Sequence, residues 1–432
     1  MNPQAQELNE VILAKNPVVF DLLSEKGKNI FFPKKGILGQ TAEAKGTKIN
    51  ATIGAAIEDD GSPMRLDAIA SKIDMDPSLT FSYAPSFGRP DLRSKWKQMI
   101  YEKNKQLKDL TLSLPVVTCA LTHGISMAGY LFVDPGQEII VPSLFWGNYN
   151  LGLASAYGAR LTKFNLFKNG GFDVEALKQS LMTEGDKKVL ILNFPNNPSG
   201  YTPTFKEMDN IAASVREAAE AGKKIVVFTD DAYFGLVYED NIAQESIFAY
   251  LSNLHPHVLA VKIDGATKED YAWGFRVGFI TYAIKGGDAD LYQALEMKTA
   301  GAVRGSISNA ANLSQSLLLH AFESPDYKLQ KKSKYIIMNA RYQAIKKVLT
   351  DDKYAQFFTA LPYNSGYFMC IQLKEGLDGE AIREILIKKY SIGIINLNNV
   401  LRVAFAAMAA SDAKKLFDGI FAACMDYLKE NK

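Results

Sequence analysis

Cysteine and histidine are scarce, three and four in 432 residues. Cys119, Cys370 and Cys424 lie far apart, an odd and sparse set that argues against a disulfide framework and fits a reducing compartment. Only His255 and His257 are close together, and they flank Pro256 as a surface turn before a strand, so no metal-ligand spacing is present. Neither sign of charge dominates. A formal net charge of +2 gives no footprint for nucleic acid or an acidic membrane. No apolar run is long enough to span a bilayer, and Met1-Asn2-Pro3-Gln4 lacks the basic start and apolar run of a signal peptide. The cytoplasm is the expected location. Internal repeats and low-complexity tracts are missing too.

What is present is an ordinary globular composition, 47% hydrophobic and 22% charged, in a chain long enough for two domains. After a helical start over about 4–26 come Gly- and Ala-rich loops. Short apolar runs then alternate with helical patterns. The strands predicted are Pro115–Cys119, Glu138–Val141, Lys188–Asn193, Ile225–Asp230, Leu259–Ile263 and Val277–Tyr282. This alternation predicts an α/β fold, a largely parallel sheet between helices. The last strand follows its predecessor by a short connection and is expected to pair antiparallel. Tyr327–Leu349 reads as one long helix leading into a smaller α+β domain. The expected division is 64–337 for the large domain, and 1–63 with 338–432 for the small domain and its N-terminal arm.

Four ordered blocks carry chemistry. Lys268 sits in Gly265-Ala266-Thr267-Lys268, and Arg276 follows in Gly274-Phe275-Arg276-Val277-Gly278. Upstream lie Asn193-Phe194-Pro195-Asn196-Asn197-Pro198-Ser199-Gly200 and Asp230-Asp231-Ala232-Tyr233. A lysine can form a Schiff base with an aldehyde cofactor. Thr122-His123-Gly124-Ile125-Ser126 follows a strand and opens a helical pattern, so Gly124, Ile125 and Ser126 are candidates for cradling an anion. Read alone, the same residues are a Gly-Ser helix cap. Arg276 adds a fixed charge suited to phosphate, and Thr267 a hydroxyl. Asp230 ends an apolar run and so stands at a strand C-terminus, where α/β sheets bind ligands; Asp231 competes for its role. Trp146 reads either as core or as a ring stacked on a ligand.

In this order and spacing the blocks resemble the class I aminotransferases of fold type I, in particular the aspartate and aromatic amino acid aminotransferases. The likeness runs from about Ile49 to Met408. It implies a large domain with a mostly parallel seven-stranded sheet, pyridoxal 5'-phosphate (PLP) on Lys268, and Asp230, rather than Asp231, at the ring nitrogen. Tyr233 and Asn197 are implied at the ring oxygen, Trp146 on the ring face, and Gly124–Ser126, Thr267 and Arg276 around the phosphate. Gly54, in Asn50-Ala51-Thr52-Ile53-Gly54-Ala55, resembles the substrate-contact loop. Tyr83, in Ser82-Tyr83-Ala84-Pro85, resembles the tyrosine that reaches the neighbouring subunit's phosphate. Arg402, in Leu401-Arg402-Val403-Ala404-Phe405-Ala406, resembles the arginine that grips the substrate α-carboxylate. Arg304, in Val303-Arg304-Gly305-Ser306, resembles the arginine that crosses the dimer to a side-chain carboxylate; alone it reads as a solvated helix-start charge.

The sequence departs from that pattern at three places. Tyr149 stands where many aspartate enzymes carry a histidine, Ile125 sits in a cup usually built of small or hydroxylic residues, and Gly265 replaces a frequent hydroxyl. The expected activity is ping-pong transfer of an amino group between an L-amino acid, aspartate or aromatic, and a 2-oxo acid such as 2-oxoglutarate. The expected assembly is a homodimer with shared sites, with no nucleic-acid or membrane partner. Alternatives are a β-lyase, a decarboxylase or a cyclopropane-forming synthase on the same fold, or a non-enzymatic PLP-binding regulator.

Overall fold

The computed structural model describes residues 1–23, 25–30, 36–71 and 74–430. Its centre is a seven-stranded sheet. In chain order the strands are β1 (Val116–Thr118), β2 (Glu138–Pro142), β3 (Arg160–Phe164), β4 (Lys187–Asn193), β5 (Lys224–Asp230), β6 (Val258–Asp264) and β7 (Gly278–Ile284). In space they run β1-β7-β6-β5-β4-β2-β3. From β6 to β3 every pairing is parallel, whereas β7 is antiparallel to both β6 and β1. Val189–Leu192 and Ile225–Phe228 are buried, as strands covered on both faces require.

All six predicted strands form. The seventh, β3, was not predicted: Arg160-Leu161-Thr162-Lys163-Phe164 is an edge strand that buries only Phe164, so it carries no apolar run. Helix α1 (Ala120–Phe132) covers the sheet face that carries Ile263, where a Cβ on Gly124 would lie 2.9 Å from Ile263 Cγ2. The helix Pro90–Lys103 covers the opposite face, with Trp96 stacked on Phe279 at 4.2 Å between centroids.

A second sheet of four antiparallel strands contains Phe358–Ala360, Phe368–Leu373, Ile395–Leu397 and Val400–Ala404. The N-terminal segment joins this part of the chain: Ile49–Asn50 pairs in parallel with Ile392–Gly393. Helix α2 (Tyr327–Val348) ties the two sheets. Its Tyr335 hydroxyl donates to Val237 O at 2.6 Å, and its Arg341 donates to Ile57 O at 2.6 Å and Ala406 O at 2.5 Å. The expected single N-terminal helix is three, Pro3–Lys15, Pro17–Leu22 and Glu25–Asn29, the first break falling where Pro17 forbids continuation after Asn16.

Candidate active site

The carboxyl ends of β4, β5 and β6 open into a cavity of about 350 Å³, lined by Asn193, Asn197, Asp230, Tyr233, Thr267, Lys268, Arg276, Trp146, Gly54, Phe368 and Arg402 among others. Parallel strands place ligand sites at such ends. Asp230 terminates β5, is 3% exposed and points into the cavity. Burial raises its carboxyl above the ordinary range, opposed by the bond from Tyr149 and the charge of Lys268. The Tyr149 hydroxyl donates to Asp230 Oδ2 at 2.6 Å, and Ala232 N donates to Oδ1 at 3.2 Å. Tyr149 is itself 1% exposed, and its phenol is pushed well above its usual range by burial, so it keeps its proton and serves as a hydrogen-bond donor.

Lys268 follows β6 on a single helical turn, Ala266–Glu269. Burial holds its amine below the usual lysine range; Asp230 opposes that shift and Arg276 adds to it. Its Nζ lies 5.2 Å from the Tyr233 ring centroid. The turn is held from behind. Tyr367 donates to Lys268 O at 3.0 Å, and Lys331 of α2 lies 3.0 Å from both Glu269 Oε1 and Asp270 Oδ1. Gly265 has a steric reason: a Cβ there would meet Val277 O at 2.6 Å, so a hydroxyl residue does not fit.

Arg402 is 3% exposed, donates to Thr52 O at 2.9 Å and Asn197 Oδ1 at 3.3 Å, and lies over the Phe368 ring at 4.3 Å. Its buried Nε has no partner, nor does the buried Thr267 Oγ1. Orphaned polar atoms aimed into a cavity mark where a polar ligand belongs. Arg276 is exposed, in the left-handed backbone region at φ 55°, with one bond at 3.2 Å to Trp273 O.

The helix start that opens on the cavity lies four residues before the Gly124–Ser126 stretch. Helix α1 starts at Ala120, and the residues that line the cavity are Ala120, Leu121 and Thr122. Their first-turn N–H groups have no intrahelical acceptor. Gly124 and Ile125 pack into the core, and Ser126 Oγ is bonded to Tyr157 Oη at 2.9 Å. Ala120 enters the helix at φ 60°, pressed against Gly278, where a Cβ would sit 2.7 Å from Ala120 C. That close approach turns the strand directly into the helix. Two other expected residues stand apart from the cavity: Tyr83 is 89% exposed, and the exposed Arg304 donates to Ser308 Oγ at 2.8 Å. Asp231 points away from it. Sequence reasoning also passed over Ile37 and Thr41, which line the cavity from the helix Ile37–Glu43, where no motif marks them.

The residues present fit pyridoxal phosphate. The α1 N-terminus, the Thr267 hydroxyl and the Arg276 guanidinium suit a phosphate; Asp230, Trp146 and Tyr233 suit a cationic aromatic ring; Lys268 suits an aldehyde. The family model for aminotransferase class I and II matches residues 47–420. The chain belongs to that family, and it is a PLP-dependent transaminase. It is 26% identical over 295 residues to an aspartate aminotransferase of Bacillus sp. (strain YM-2), covering 67% of this chain and 69% of that one. It is 26% identical over 303 residues to a probable aspartate/prephenate aminotransferase of Rickettsia conorii, covering 68% and 69%. Among solved structures, an aminotransferase from Anaerococcus prevotii superposes with a TM-score of 0.82 at 22% identity, over 93% of this chain and 99% of that one. Thermus thermophilus aspartate aminotransferase in complex with maleate gives 0.71 at 17%, over 93% and 99%. These two likenesses speak for the fold. Among the described residues no helix is long and apolar enough to cross a membrane, and no acidic, cysteine or histidine cluster could hold a metal ion.

Proposed function

We propose that this aminotransferase exchanges amino groups between a dicarboxylic partner, 2-oxoglutarate or aspartate, and a second amino acid, with aromatic side chains accepted. The observation that carries the reading is Arg402, a buried guanidinium with an unpartnered Nε, facing Lys268 and Asp230 across one cavity. Arg402 takes the α-carboxylate that every amino-acid substrate carries. Phe368, Ile37, Ile53 and Trp146 give the substrate side chain apolar walls. The curated relatives named for aspartate and prephenate support the dicarboxylate.

When bound, pyridoxal phosphate supplies an aldehyde for Lys268 and a ring that withdraws electrons from the substrate Cα. The chain's own residues do the rest. Lys268, its amine held low by burial, would take the proton from the substrate Cα and deliver it to the former aldehyde carbon, on the far side of the bridging nitrogen. Asp230, held by Tyr149, would keep a proton on the ring nitrogen. Tyr233 and Asn197 would donate to the ring oxygen. Tyr83 and Arg304, both exposed, are assigned to the neighbouring subunit's site in a homodimer. Residues 64–337 would form the cofactor-binding domain, and the cytoplasm remains the expected location. A panel of amino acids with 2-oxoglutarate as acceptor, read by 2-oxo acid formation, tests the reading. Turnover of acidic and aromatic donors supports it, and turnover confined to other classes overturns it.

A further inference from the structure

Behind the ring acid, on the other face of the sheet, lies a buried cluster that the reaction does not touch. Side chains alternate across a sheet, so Asp230 and Ile263, which pair in register, share the face covered by α1. Asp231, Lys262 and Asp264 occupy the opposite face, under Trp96. Asp231 N donates to Ile263 O at 2.9 Å, which extends the β5–β6 ladder by one residue. Lys262, 1% exposed, is ion-paired to Asp231 Oδ2 and lies 3.4 Å from Asp264 Oδ2. Ser246 Oγ donates to Asp231 Oδ2 at 2.6 Å, and Trp96 Nε1 donates to Asp264 Oδ1 at 3.0 Å. The Lys262 amine also sits 4.8 Å from the Phe234 ring centroid.

We propose that Lys262 and Asp264 are positioning residues of the aminotransferase: through Asp231 they set how readily Asp230 holds a proton. The proposal rests on the reading of Asp230 as the ring acid. Asp230 and Asp231 are adjacent and both buried, and the charge of Asp230 raises the carboxyl of Asp231; two like charges so close must act on each other. Lys262 offsets the charge of Asp231, which leaves Asp230 free to ionise toward the cavity. Asp264 is the counterweight. Burial, with the neighbouring Asp231 and Glu269 carboxylates, lifts its carboxyl to about 6 against the pull of Lys262 and Trp96. Glu269, held by Lys103 and Lys331, also acts on the cluster, and Lys331 in turn holds Asp270, which accepts from Tyr327. Lys103 further lies 5.1 Å from the Trp96 ring centroid.

The sign follows. An ionised Asp264 adds negative charge behind Asp230 and raises its proton affinity. A protonated Asp264, or an asparagine in its place, lowers it. Loss of the Lys262 amine raises it. A merely structural cluster would not move Asp230 in opposite senses for two substitutions.

The test is the titration midpoint of Asp230, followed by NMR of the full chain carrying isotope-labelled aspartate, with and without bound cofactor; Asp230→Asn assigns the signal. Asp264→Asn keeps an oxygen for Trp96 and is expected to lower the midpoint by roughly one pH unit, while Lys262→Met raises it by a similar amount. A midpoint unchanged or raised in Asp264→Asn overturns the proposal, whether or not the lysine variant folds. Because the readout is the proton on Asp230 rather than turnover, this failure is distinct from failure of Asp230 as the ring acid, which turnover of Asp230→Asn reports.

Discussion

At the scale of single residues, the account turns on which groups hold charge and which hold position. Asp230→Asn should cut turnover far more than it weakens cofactor binding, because the helix N-terminus, Thr267 and Arg276 carry most of the anchoring. Turnover and the PLP dissociation constant, measured side by side, check this; near-normal turnover would remove Asp230 from its role. Tyr149→Phe removes a donor to a buried carboxylate, a bond worth on the order of 1.5–3 kcal/mol, so kcat should fall roughly tenfold to a hundredfold. The two arginines separate by substrate. Arg402→Ala should lower kcat/KM for every amino acid. Arg304→Ala should lower it roughly tenfold to a hundredfold or more for aspartate, glutamate or 2-oxoglutarate, and much less for aromatic donors. Equal losses across substrates in the Arg304 variant would end the dicarboxylate reading.

At the scale of elements, the turn that carries Lys268 depends on a helix far along the chain. Lys331 of α2 binds Glu269 and Asp270, the two residues after Lys268. Glu269 and Asp270 are buried while Lys331 is 24% exposed, so removing the amine costs something short of the about 3–5 kcal/mol typical of a fully buried pair broken from one side. Lys331→Met should therefore lower the melting temperature by several degrees and loosen Lys268 as well; an unchanged melting curve would contradict this. Glu269 adds a pH dependence. Burial tends to raise its carboxyl, but Lys103 and Lys331 outweigh that and hold it at about 2, below its ordinary 4.5. A depressed acid stabilises the fold fully above its unfolded value, and the gain is lost as pH falls toward the folded one. Acid unfolding should thus steepen between pH about 4.5 and about 2, and Glu269→Gln should flatten that window.

Much of this layout is legible in the sequence, for a physical reason. The central strands are buried on both faces and so appear as apolar runs, and the residues at their ends, Asn193, Asp230 and Lys268, fall where strand ends must. What is hidden depends on tertiary contact. The edge strand Arg160–Phe164 is half solvated. The start of α1 at Ala120 goes with a close approach to Gly278, 158 positions along the chain, so the sequence reads as if the helix opened at Gly124-Ile125-Ser126, where Gly124 and Ile125 pack in the core. Ile37 and Thr41 line the cavity from a helix that Gln40 clamps to the Asn396 backbone at 3.0 and 2.7 Å, a contact 356 positions along the chain.

At the scale of the whole molecule, Phe81, Tyr83 and Arg304 are exposed and stand apart from the cavity of their own chain, and a second copy is the proposed place for them. Mixing Lys268→Ala chains with Arg304→Ala chains tests shared sites. One site in each mixed dimer then draws an intact Lys268 and an intact Arg304 from different chains, so part of the dicarboxylate activity should return. No recovery despite proven subunit exchange would show that each site is built from one chain. The central claim, that this cavity holds pyridoxal phosphate on Lys268, is tested most directly by borohydride reduction of the loaded protein followed by peptide mass spectrometry. The account predicts a reduced pyridoxyl group on the peptide containing Lys268 and its loss in Lys268→Ala. A label on another lysine, or an adduct undiminished in that variant, would contradict it.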